Sequence, residues 1–390
     1  MAYQVFLKKK EDGRIRAGHA WVYANEVQEI RGDGKNGDLA EVFDCHGAFL
    51  GKGYINHLSK ILVRLFIRDR AGTDDQALFT ERVRAAHDAR TSLGLTEAYR
   101  VVFDQADDLP GVVIDRYGDL VSLQIHSLGM DRNRDKIVTA IREVLAPRGI
   151  YERSDAPVRA REGLPPVSGP VGGAFDPVTS FRENGLLFRT DLANGQKTGY
   201  FLDQRENRLA VRRYCTGGSV LDCFCNAGGF SMNAAFAGAE RILALDASES
   251  ALEDVKANAA LNGFTNIETV RGDAFTLLRG FHREGRQFHT VILDPPAFCK
   301  SIDQVRDALR GYRDVNLLGM KLTQPGGYLV TASCSRFVTQ TLFRKMLREA
   351  AAASGRRVRL LETKAQASDH PVLLAADENE YLKFYVLQIM

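Results

Sequence analysis

The stretch Val220-Leu-Asp-Cys-Phe-Cys-Asn-Ala-Gly-Gly-Phe230 decides the fold of the C-terminal half of the chain. It is typical of an apolar strand that runs into a glycine pair and then into a helix over residues 231–237. Glycines at this point let the backbone approach a ligand closely at a helix N-terminus. The spacing matches neither G-x-G-x-x-G nor G-x-x-x-x-G-K-[ST], which weakens the dinucleotide and nucleoside-triphosphate interpretations.

Further apolar runs alternate with helical segments after this stretch. Such alternation predicts a mostly parallel sheet that helices cover on both faces. Aromatic and branched residues over 381–389 predict a last, antiparallel strand. The other predicted strands lie at Ile242–Asp246, Ile267–Val270, Val291–Asp294, Tyr328–Ser333 and Val358–Leu361. The sequence therefore predicts an α/β domain over residues 181–390.

The first 180 residues predict two further domains, as the length of 390 residues also suggests. Short strands between turn signals over residues 1–70 predict a β-rich barrel or sandwich. Strands mixed with helices over residues 71–180 predict a central α/β domain. A stretch rich in glycine and proline, from Gly163 to Pro177, closes that domain.

Composition excludes several classes of protein. A hydrophobic fraction of 45% and a charged fraction of 26% exclude wholesale disorder. The net charge of +3 means that any nucleic-acid contact must use local patches. No apolar run approaches the ~20 residues that span a bilayer, and the N-terminus lacks the order of a secretory signal, so we expect a cytoplasmic protein. Six cysteines without paired metal-site spacing predict free thiols and no metal site.

Acidic residues follow three of the predicted parallel strands. Asp222, Asp246 and Asp273 stand at or just after the ends of these strands. The carboxyl ends of strands line one crevice in an open sheet, so all three acids can face a single nucleoside. Asp246 could accept both ribose hydroxyls, and Asp273 could approach an adenine amino group. The spacing alone is equally consistent with any nucleotide-binding α/β domain.

Two motifs later in the chain suggest chemistry on a planar base. In Asp294-Pro-Pro-Ala-Phe298 the prolines fix an extended backbone, so an acid and an aromatic ring could hydrogen-bond and stack on a base. Ser333-Cys-Ser335 follows the next strand, in the same crevice. The thiolate of Cys334 is a strong nucleophile once a neighbour lowers the pKa of the thiol. The simpler alternatives are a strand-ending loop and a buried apolar cysteine.

With these motifs the chain resembles the RlmI-type family of S-adenosylmethionine-dependent 23S rRNA cytosine-5 methyltransferases, which carry an N-terminal PUA domain. Two further stretches support the resemblance, Lys197-Thr-Gly-Tyr-Phe-Leu-Asp-Gln-Arg205 and Ala367-Ser-Asp-His-Pro-Val372. Within the first domain, Arg16-Ala-Gly-His-Ala-Trp-Val-Tyr23 is similar but less specific. The resemblance covers essentially the whole chain.

The resemblance implies a class I, Rossmann-like domain with seven strands, S-adenosylmethionine as cofactor, a PUA-like RNA-binding domain, and methyl transfer to RNA. Cys334 would attack carbon 6 of cytosine, and Asp294 would lie between cofactor and base. The residues expected at the cofactor are Phe201, Gln204, Asp222, Asn226, Ala227, Gly228, Gly229, Phe230, Asp246, Ala247, Asp273, Ala274 and Asp294. Those expected at the RNA are Lys197, Arg205, Pro295, Pro296, Phe298, Ser333, Arg16 and Trp21.

The chain departs from many RNA cytosine-5 methyltransferases at one position. Ala297 stands where they place a second cysteine directly after the proline pair, and Cys299 lies two residues further on. The base that removes the carbon 5 proton is therefore open, with water and Asp294 as candidates.

Three other functions compete with this interpretation. A purine nitrogen methyltransferase would need no cysteine, a non-catalytic RNA-binding or ribosome-assembly factor would need no cofactor pocket, and the missing G-x-G-x-x-G disfavours an NAD-dependent oxidoreductase. The RNA partner is either 23S rRNA or a large-subunit assembly intermediate. The sequence leaves open whether the chain forms a homodimer.

Overall fold

The computed structural model of the chain describes residues 3–195, 198–299 and 301–390. Their internal contacts divide them into two compact units. The first unit contains residues up to Phe181, together with Thr190–Leu202 and Asp369–Asn379. The second unit contains Arg182–Arg189, Asp203–Ser368 and Glu380–Met390. The domain boundaries drawn from the sequence, 1–70, 71–180 and 181–390, stay a prediction.

The N-terminal part of the first unit is a six-stranded sheet of order β2-β6-β5-β4-β1-β3. Neighbouring strands are antiparallel except β1 and β4, which are parallel. Alternate residues of β1 point inward, and Val5 is fully buried. The strands are β1 (Tyr3–Leu7), β2 (Trp21–Tyr23), β3 (Val27–Arg31), β4 (Leu39–Phe43), β5 (Phe49–Ile55) and β6 (Ile61–Ile67), and the short helix α1 is Gly13–Arg16.

A five-stranded sheet of order β11-β10-β9-β8-β7 forms the rest of the first unit's framework. Helix α2 begins where the Asp75 side chain accepts a hydrogen bond from the Leu78 N–H, as an N-cap acid should. The strands are β7 (Ala98–Phe103), β8 (Val112–Tyr117), β9 (Leu120–Ile125), β10 (Gly149–Ser154) and β11 (Val167–Pro170). The helices are α2 (Gln76–Ser92), α3 (Leu128–Arg132), α4 (Arg134–Leu145) and α5 (Val158–Arg161). The glycine- and proline-rich stretch thus contains an edge strand, β11, where its prolines are tolerated.

The second unit is built on a seven-stranded sheet of order β16-β15-β14-β17-β18-β20-β19. The β12 (Val178–Glu183) and β13 (Leu186–Asp191) strands form a separate two-stranded sheet before it. The seven strands are β14 (Ser219–Cys223), β15 (Arg241–Asp246), β16 (Ile267–Arg271), β17 (Phe288–Leu293), β18 (Thr323–Ser333), β19 (Val358–Lys364) and β20 (Lys383–Ile389). The first five are parallel, and β20 is antiparallel to both β18 and β19, as predicted.

Helices pack between these strands in the βαβ manner and bury the central strands on both faces. Val291 of β17 and Leu329 of β18 are fully buried in a core that helices α9 to α11 complete. The helices are α6 (Arg205–Val211), α7 (Gly229–Phe236), α8 (Glu249–Leu261), α9 (Ala274–Arg283), α10 (Val305–Leu322) and α11 (Gln340–Ser354). Across the described part of the chain, no helix is long and apolar enough to cross a membrane.

Candidate active site

The loop between β14 and α7 has a sharply turned backbone. Phe224, Asn226 and Gly228 have φ values of 63°, 48° and 77°. Only glycine adopts such angles without cost, so two strained residues precede the helix. The Asn226 N–H donates to the Asp246 carboxylate at 3.0 Å, and the Cys225 N–H donates to the Leu245 carbonyl at 3.1 Å. These bonds hold the loop against the carboxyl end of β15.

Asp246 and Asp273 both accept hydrogen bonds from backbone N–H groups. Asp246 Oδ2 accepts from Asn226, and its Oδ1 accepts from the Ser248 N–H at 3.0 Å. Asp273 caps α9, where its Oδ1 accepts from the Thr276 N–H at 2.9 Å. Each carboxylate is therefore oriented by the turn that follows its strand. Ala247 is exposed beside Asp246, and Ala274 is buried beside Asp273.

Asp222 is fully buried at the end of β14, one strand away from Asp246. Its Oδ2 accepts from the Ser231 hydroxyl at 2.6 Å, which fixes the first turn of α7 to the strand. Burial, with the charges of Asp294 and Asp246, raises the pKa of Asp222 to about 7. Its place at the cofactor, expected from the sequence, stays a prediction.

Gln204 holds Asp294 at the end of β17. Gln204 is buried, and its Nε2 donates to Asp294 Oδ1 at 2.9 Å. Asn207 in turn donates to Gln204 Oε1 at 2.7 Å. These two hydrogen bonds orient the carboxylate of Asp294, which is half-buried. Pro295 is buried and Pro296 is exposed.

Phe298 packs between two other rings. Its centroid lies 6.0 Å from that of Phe275 and 4.7 Å from that of Tyr312. A cavity of about 380 Å³ opens beside this cluster, lined by Phe275, Phe298, Gln304, Asp307, Ala308 and Gly311. Because both neighbours engage the ring, Phe298 is held in place rather than projecting from the loop.

Cys334 lies half-buried between two buried serines where β18 ends. Ser333 is fully buried, and its hydroxyl accepts from the Ser335 N–H at 3.3 Å. The hydroxyls of Ser335 and Tyr312 are 2.9 Å apart. Lys383 of β20 donates from Nζ to the Ser335 carbonyl at 2.6 Å. Polar groups inside the protein thus hold the backbone on both sides of the cysteine.

Sequence reasoning missed Lys383 and Tyr312. The signal for Lys383 was present, since it is a single charge within the apolar run Tyr381-Leu-Lys-Phe-Tyr-Val-Leu-Gln-Ile389. A lysine there must find partners inside the protein, because β20 lies between two other strands. Tyr312 lies in the middle of α10 and had no sequence signal beyond helical periodicity.

The structure does not bring all predicted site residues together within one unit. Phe201 belongs to the first unit, and Lys197 lies outside the described residues. Arg205 is buried at the start of α6. Arg16 donates to Asp12 and Asp44, both at 2.5 Å, so its charge is already balanced.

Trp21 of the first unit is partly exposed, with the Arg64 guanidinium 5.4 Å from the centre of its ring. Within the second unit, Phe230 is stacked on Phe384 in the core below the loop, at a centroid distance of 6.3 Å. Gly229 starts α7 and is buried, and Ala227 is also buried.

Within the described part of the chain none of the six cysteines forms a disulfide, and Cys45 and Cys334 are the two that are more than slightly exposed. Among the described residues no group of histidine, cysteine, aspartate and glutamate side chains could hold a metal ion.

The fold and this site define an S-adenosylmethionine-dependent methyltransferase. Residues 169–376 match the S-adenosylmethionine-dependent methyltransferase family, and residues 5–68 match a PUA-like domain. The chain is 38% identical to ribosomal RNA large subunit methyltransferase I of Aeromonas hydrophila, over 100% of both chains. It is 37% identical to the protein of that name from Salmonella typhimurium, over 99% of this chain and 98% of the relative. The chain belongs to the ribosomal RNA large subunit methyltransferase I family.

Solved structures agree with this fold. A chain described as a SAM-dependent methyltransferase from Streptococcus mutans superposes with a TM-score of 0.84 at 22% identity, over 100% of both chains. A methyltransferase complexed with SAH superposes with a TM-score of 0.85 at 22% identity, also over 100% of both chains. The predicted fold class, a Rossmann-like methyltransferase domain behind a PUA-like domain, is confirmed, as is the resemblance on which it drew.

The cofactor of the protein is S-adenosylmethionine, as predicted. The residues of the second unit fit this group. The loop after β14 turns at Asn226 and Gly228 to present backbone N–H groups at the start of α7, where an anionic group is favoured. Asp246, half-buried at the end of the next strand, offers carboxylate oxygens to hydroxyls.

Proposed function

We propose that this protein methylates carbon 5 of a cytosine in 23S ribosomal RNA, with Cys334 as the nucleophile. The observation that carries the proposal is the position of two groups at the carboxyl ends of neighbouring parallel strands. Asp294 follows β17 and Cys334 follows β18, and these strands pair in register from Val291 with Leu329 to Leu293 with Thr331. An acid and a thiol at one edge of the sheet can act on the same base.

Carbon 5 of cytosine is too weak a nucleophile to accept a methyl group unaided. The Cys334 sulfur therefore forms a bond to carbon 6, and the electron pair of the 5,6 double bond moves so that carbon 5 becomes nucleophilic. S-adenosylmethionine, when bound, supplies an electrophilic methyl group. Loss of the carbon 5 proton to a base then restores the double bond and releases the Cys334 thiolate.

Asp294 acts on the edge of the base that carries nitrogen 3, away from the carbon 6 that Cys334 attacks. Negative charge develops around nitrogen 3 when the sulfur adds to carbon 6, and a proton that the Asp294 carboxyl group donates to nitrogen 3 stabilises it. Gln204 fixes the Asp294 carboxylate through the 2.9 Å hydrogen bond, so little reorganisation is needed when the base arrives. Asp294 and water are the two groups that we propose for the removal of the carbon 5 proton.

Recognition of the RNA uses single-stranded nucleotides in this proposal. The base must leave its stack to reach a thiol that lies half-buried at a strand end. The PUA-like domain contributes to RNA binding, and the names of the relatives favour large-subunit ribosomal RNA as the substrate. We further propose a cytoplasmic enzyme that acts on 23S rRNA or on a large-subunit assembly intermediate, and a homodimer that light scattering of the purified chain would detect.

The test is incubation of the protein with labelled S-adenosylmethionine and unmodified 23S rRNA, followed by digestion to nucleosides and mass spectrometry. We expect label only in 5-methylcytidine, and none with Cys334→Ala. Cys45→Ala is the matched control, because Cys45 is the other partly exposed thiol. Label in a purine, or equal labelling by Cys334→Ala, would contradict the covalent mechanism while leaving the methyltransferase fold unaffected.

A further inference from the structure

Lys383 is an unusual residue for its position in the sheet. It begins β20, is 4% exposed, and donates its described hydrogen bonds to backbone carbonyls rather than to a carboxylate. Burying an ammonium group without a paired carboxylate is costly, so the position must offer compensation of another kind. Two backbone carbonyls supply part of it, those of Ser335 at 2.6 Å and Tyr381 at 2.8 Å.

The strand register brings this lysine to Cys334. Lys383 pairs with Ser333 across the antiparallel β18 and β20 strands. Its Nζ reaches the carbonyl of Ser335, so the side chain runs from the residue before Cys334 to the residue after it. A cation held along this path lies beside the backbone that carries the thiol.

We propose that Lys383 is a positioning residue that stabilises the thiolate form of Cys334. The inference rests on the proposed function, because it concerns the nucleophile of that reaction. Only the S–H bond of Cys334 breaks in this step, and its proton passes to water. Two of the three ammonium hydrogens are donated to carbonyls. These bonds orient the ammonium group, and because carbonyls are neutral the group keeps its positive charge.

The charges around the pair are consistent with this role. Burial lowers the pKa of Lys383 to about 8, and the charge on Cys334 opposes that decrease more strongly than the charge on Glu380 does. Cys299 has a smaller effect of the same sign. The buried Tyr312 hydroxyl faces Cys334 from α10, and burial together with that cysteine raises the pKa of Tyr312, so it stays neutral.

Two other charged groups lie near this strand end, Asp294 after the neighbouring strand β17 and Arg336 two residues after Cys334. The Asp294 carboxylate is engaged by Gln204. The other group is Arg336. It is exposed, and its guanidinium lies 5.7 Å from the centre of the Phe337 ring. Glu380, on the other side of Lys383, is exposed and accepts from Gln340 at 2.8 Å. Lys383 is therefore the buried cation of this group, and burial makes its charge act more strongly than an exposed charge at similar range.

The test measures the alkylation rate of Cys334 by iodoacetamide between pH 6 and pH 10 in the intact, full-length protein, with peptide mass spectrometry to identify the site. Cys45, the other partly exposed thiol, is an internal reference in every sample. In the wild type we expect the midpoint for Cys334 to lie below that for Cys45. Lys383→Met should raise the Cys334 midpoint by about one pH unit, a tenfold loss of thiolate at neutral pH, without moving Cys45.

Two further variants keep the result interpretable. Lys383→Arg retains a cation and should keep the midpoint within a few tenths of a unit of the wild type. Lys256→Met removes an exposed lysine of the same domain and should leave the profile unchanged. A merely structural role for Lys383 would change melting temperature but not the midpoint of Cys334.

Three results would overturn the inference. They are a wild-type Cys334 midpoint at or above that of Cys45, coincident profiles for Lys383→Met and the wild type, and an equal upward shift in Lys383→Arg and Lys383→Met. The first needs no variant to fold. Alkylation does not depend on methyl transfer, so failure of the proposed function appears separately, as absence of 5-methylcytidine from the wild-type reaction.

Discussion

The carboxyl ends of β14 and β18 lie two positions apart in one sheet, yet they are built differently. The loop after β14 is shaped by its backbone, with positive φ angles at Asn226 and Gly228 and the Asn226 N–H directed at Asp246. The end of β18 is shaped by side chains, with a thiol supported by buried hydroxyls and Lys383. In the function that we propose, the backbone of one end serves binding, and the side chains of the other serve reaction.

The comparison predicts that substitutions at the β18 end cause the largest losses of activity, with little loss of S-adenosylmethionine binding. RNA that contains 5-fluorocytidine should form a covalent adduct with the wild type, because fluorine on carbon 5 cannot leave as a proton does. Cys334→Ala should form none and lose at least about a thousandfold in methylation rate, while affinity for S-adenosylmethionine stays within about twofold. Gel electrophoresis under denaturing conditions detects the adduct, and adduct formation by Cys334→Ala would remove Cys334 from the mechanism.

Asp294→Asn tests the neighbouring strand end. The asparagine can still accept from Gln204, so the fold should persist, but it has no acidic proton to give to nitrogen 3 of the base. We expect about a hundredfold decrease in kcat and a change in melting temperature of no more than a few degrees. Glu253→Gln, which changes an exposed acid of α8, is the control and should have wild-type kinetics. Unchanged kcat in Asp294→Asn would mean that the Asp294 carboxyl group takes no part in the reaction.

Gly228→Ala tests the β14 end. Gly228 and Gly238 both have positive φ values, 77° and 86°. A Cβ at Gly228 would meet Val255 at 3.1 Å and Met232 at 3.2 Å, whereas one at Gly238 has open space. Both alanine variants should lose about 1 kcal/mol of unfolding free energy through backbone strain.

Only Gly228→Ala should also weaken S-adenosylmethionine binding, by about tenfold, because the crowded loop must shift at the start of α7. Calorimetric titration of both variants measures this difference. Equal affinities in the two variants would show that the backbone of this loop does not determine cofactor binding.

The smallest effect concerns pH and Asp222, the buried acid below the β14 loop. Its pKa, about 7 in the folded protein, lies above the usual unfolded value of about 4. The stability that this group contributes is therefore complete below about pH 4 and is lost as pH rises toward 7. Asp222→Asn removes this titration, so its unfolding free energy relative to the wild type should increase between pH 5 and pH 8. Urea unfolding at both values measures the change, and a pH-independent difference would mean that Asp222 is not protonated in the fold.

Much of the second unit could be predicted from sequence periodicity and strand-end acids. Asp246 and Asp294 follow apolar runs, and the strands before them were located to within a few residues because buried parallel strands are nearly continuous apolar runs. The surroundings of Asp222 could not be predicted in the same way. Its spacing equals that of a ligand-binding acid, and only the folded chain shows that the carboxylate is fully buried and accepts from the Ser231 hydroxyl.

The sequence by itself determined the class of the protein. Motifs such as Asp294-Pro-Pro-Ala-Phe298 and Ser333-Cys-Ser335 are short and contiguous, so they can be identified without the tertiary structure. The tertiary structure alone decided which groups support the reactive ones. Lys383 is 49 residues from Cys334 in the chain, and only the pairing of β20 with β18 brings them together. Strand pairing depends on how the whole sheet buries its apolar residues. The local sequence around either residue therefore does not predict it.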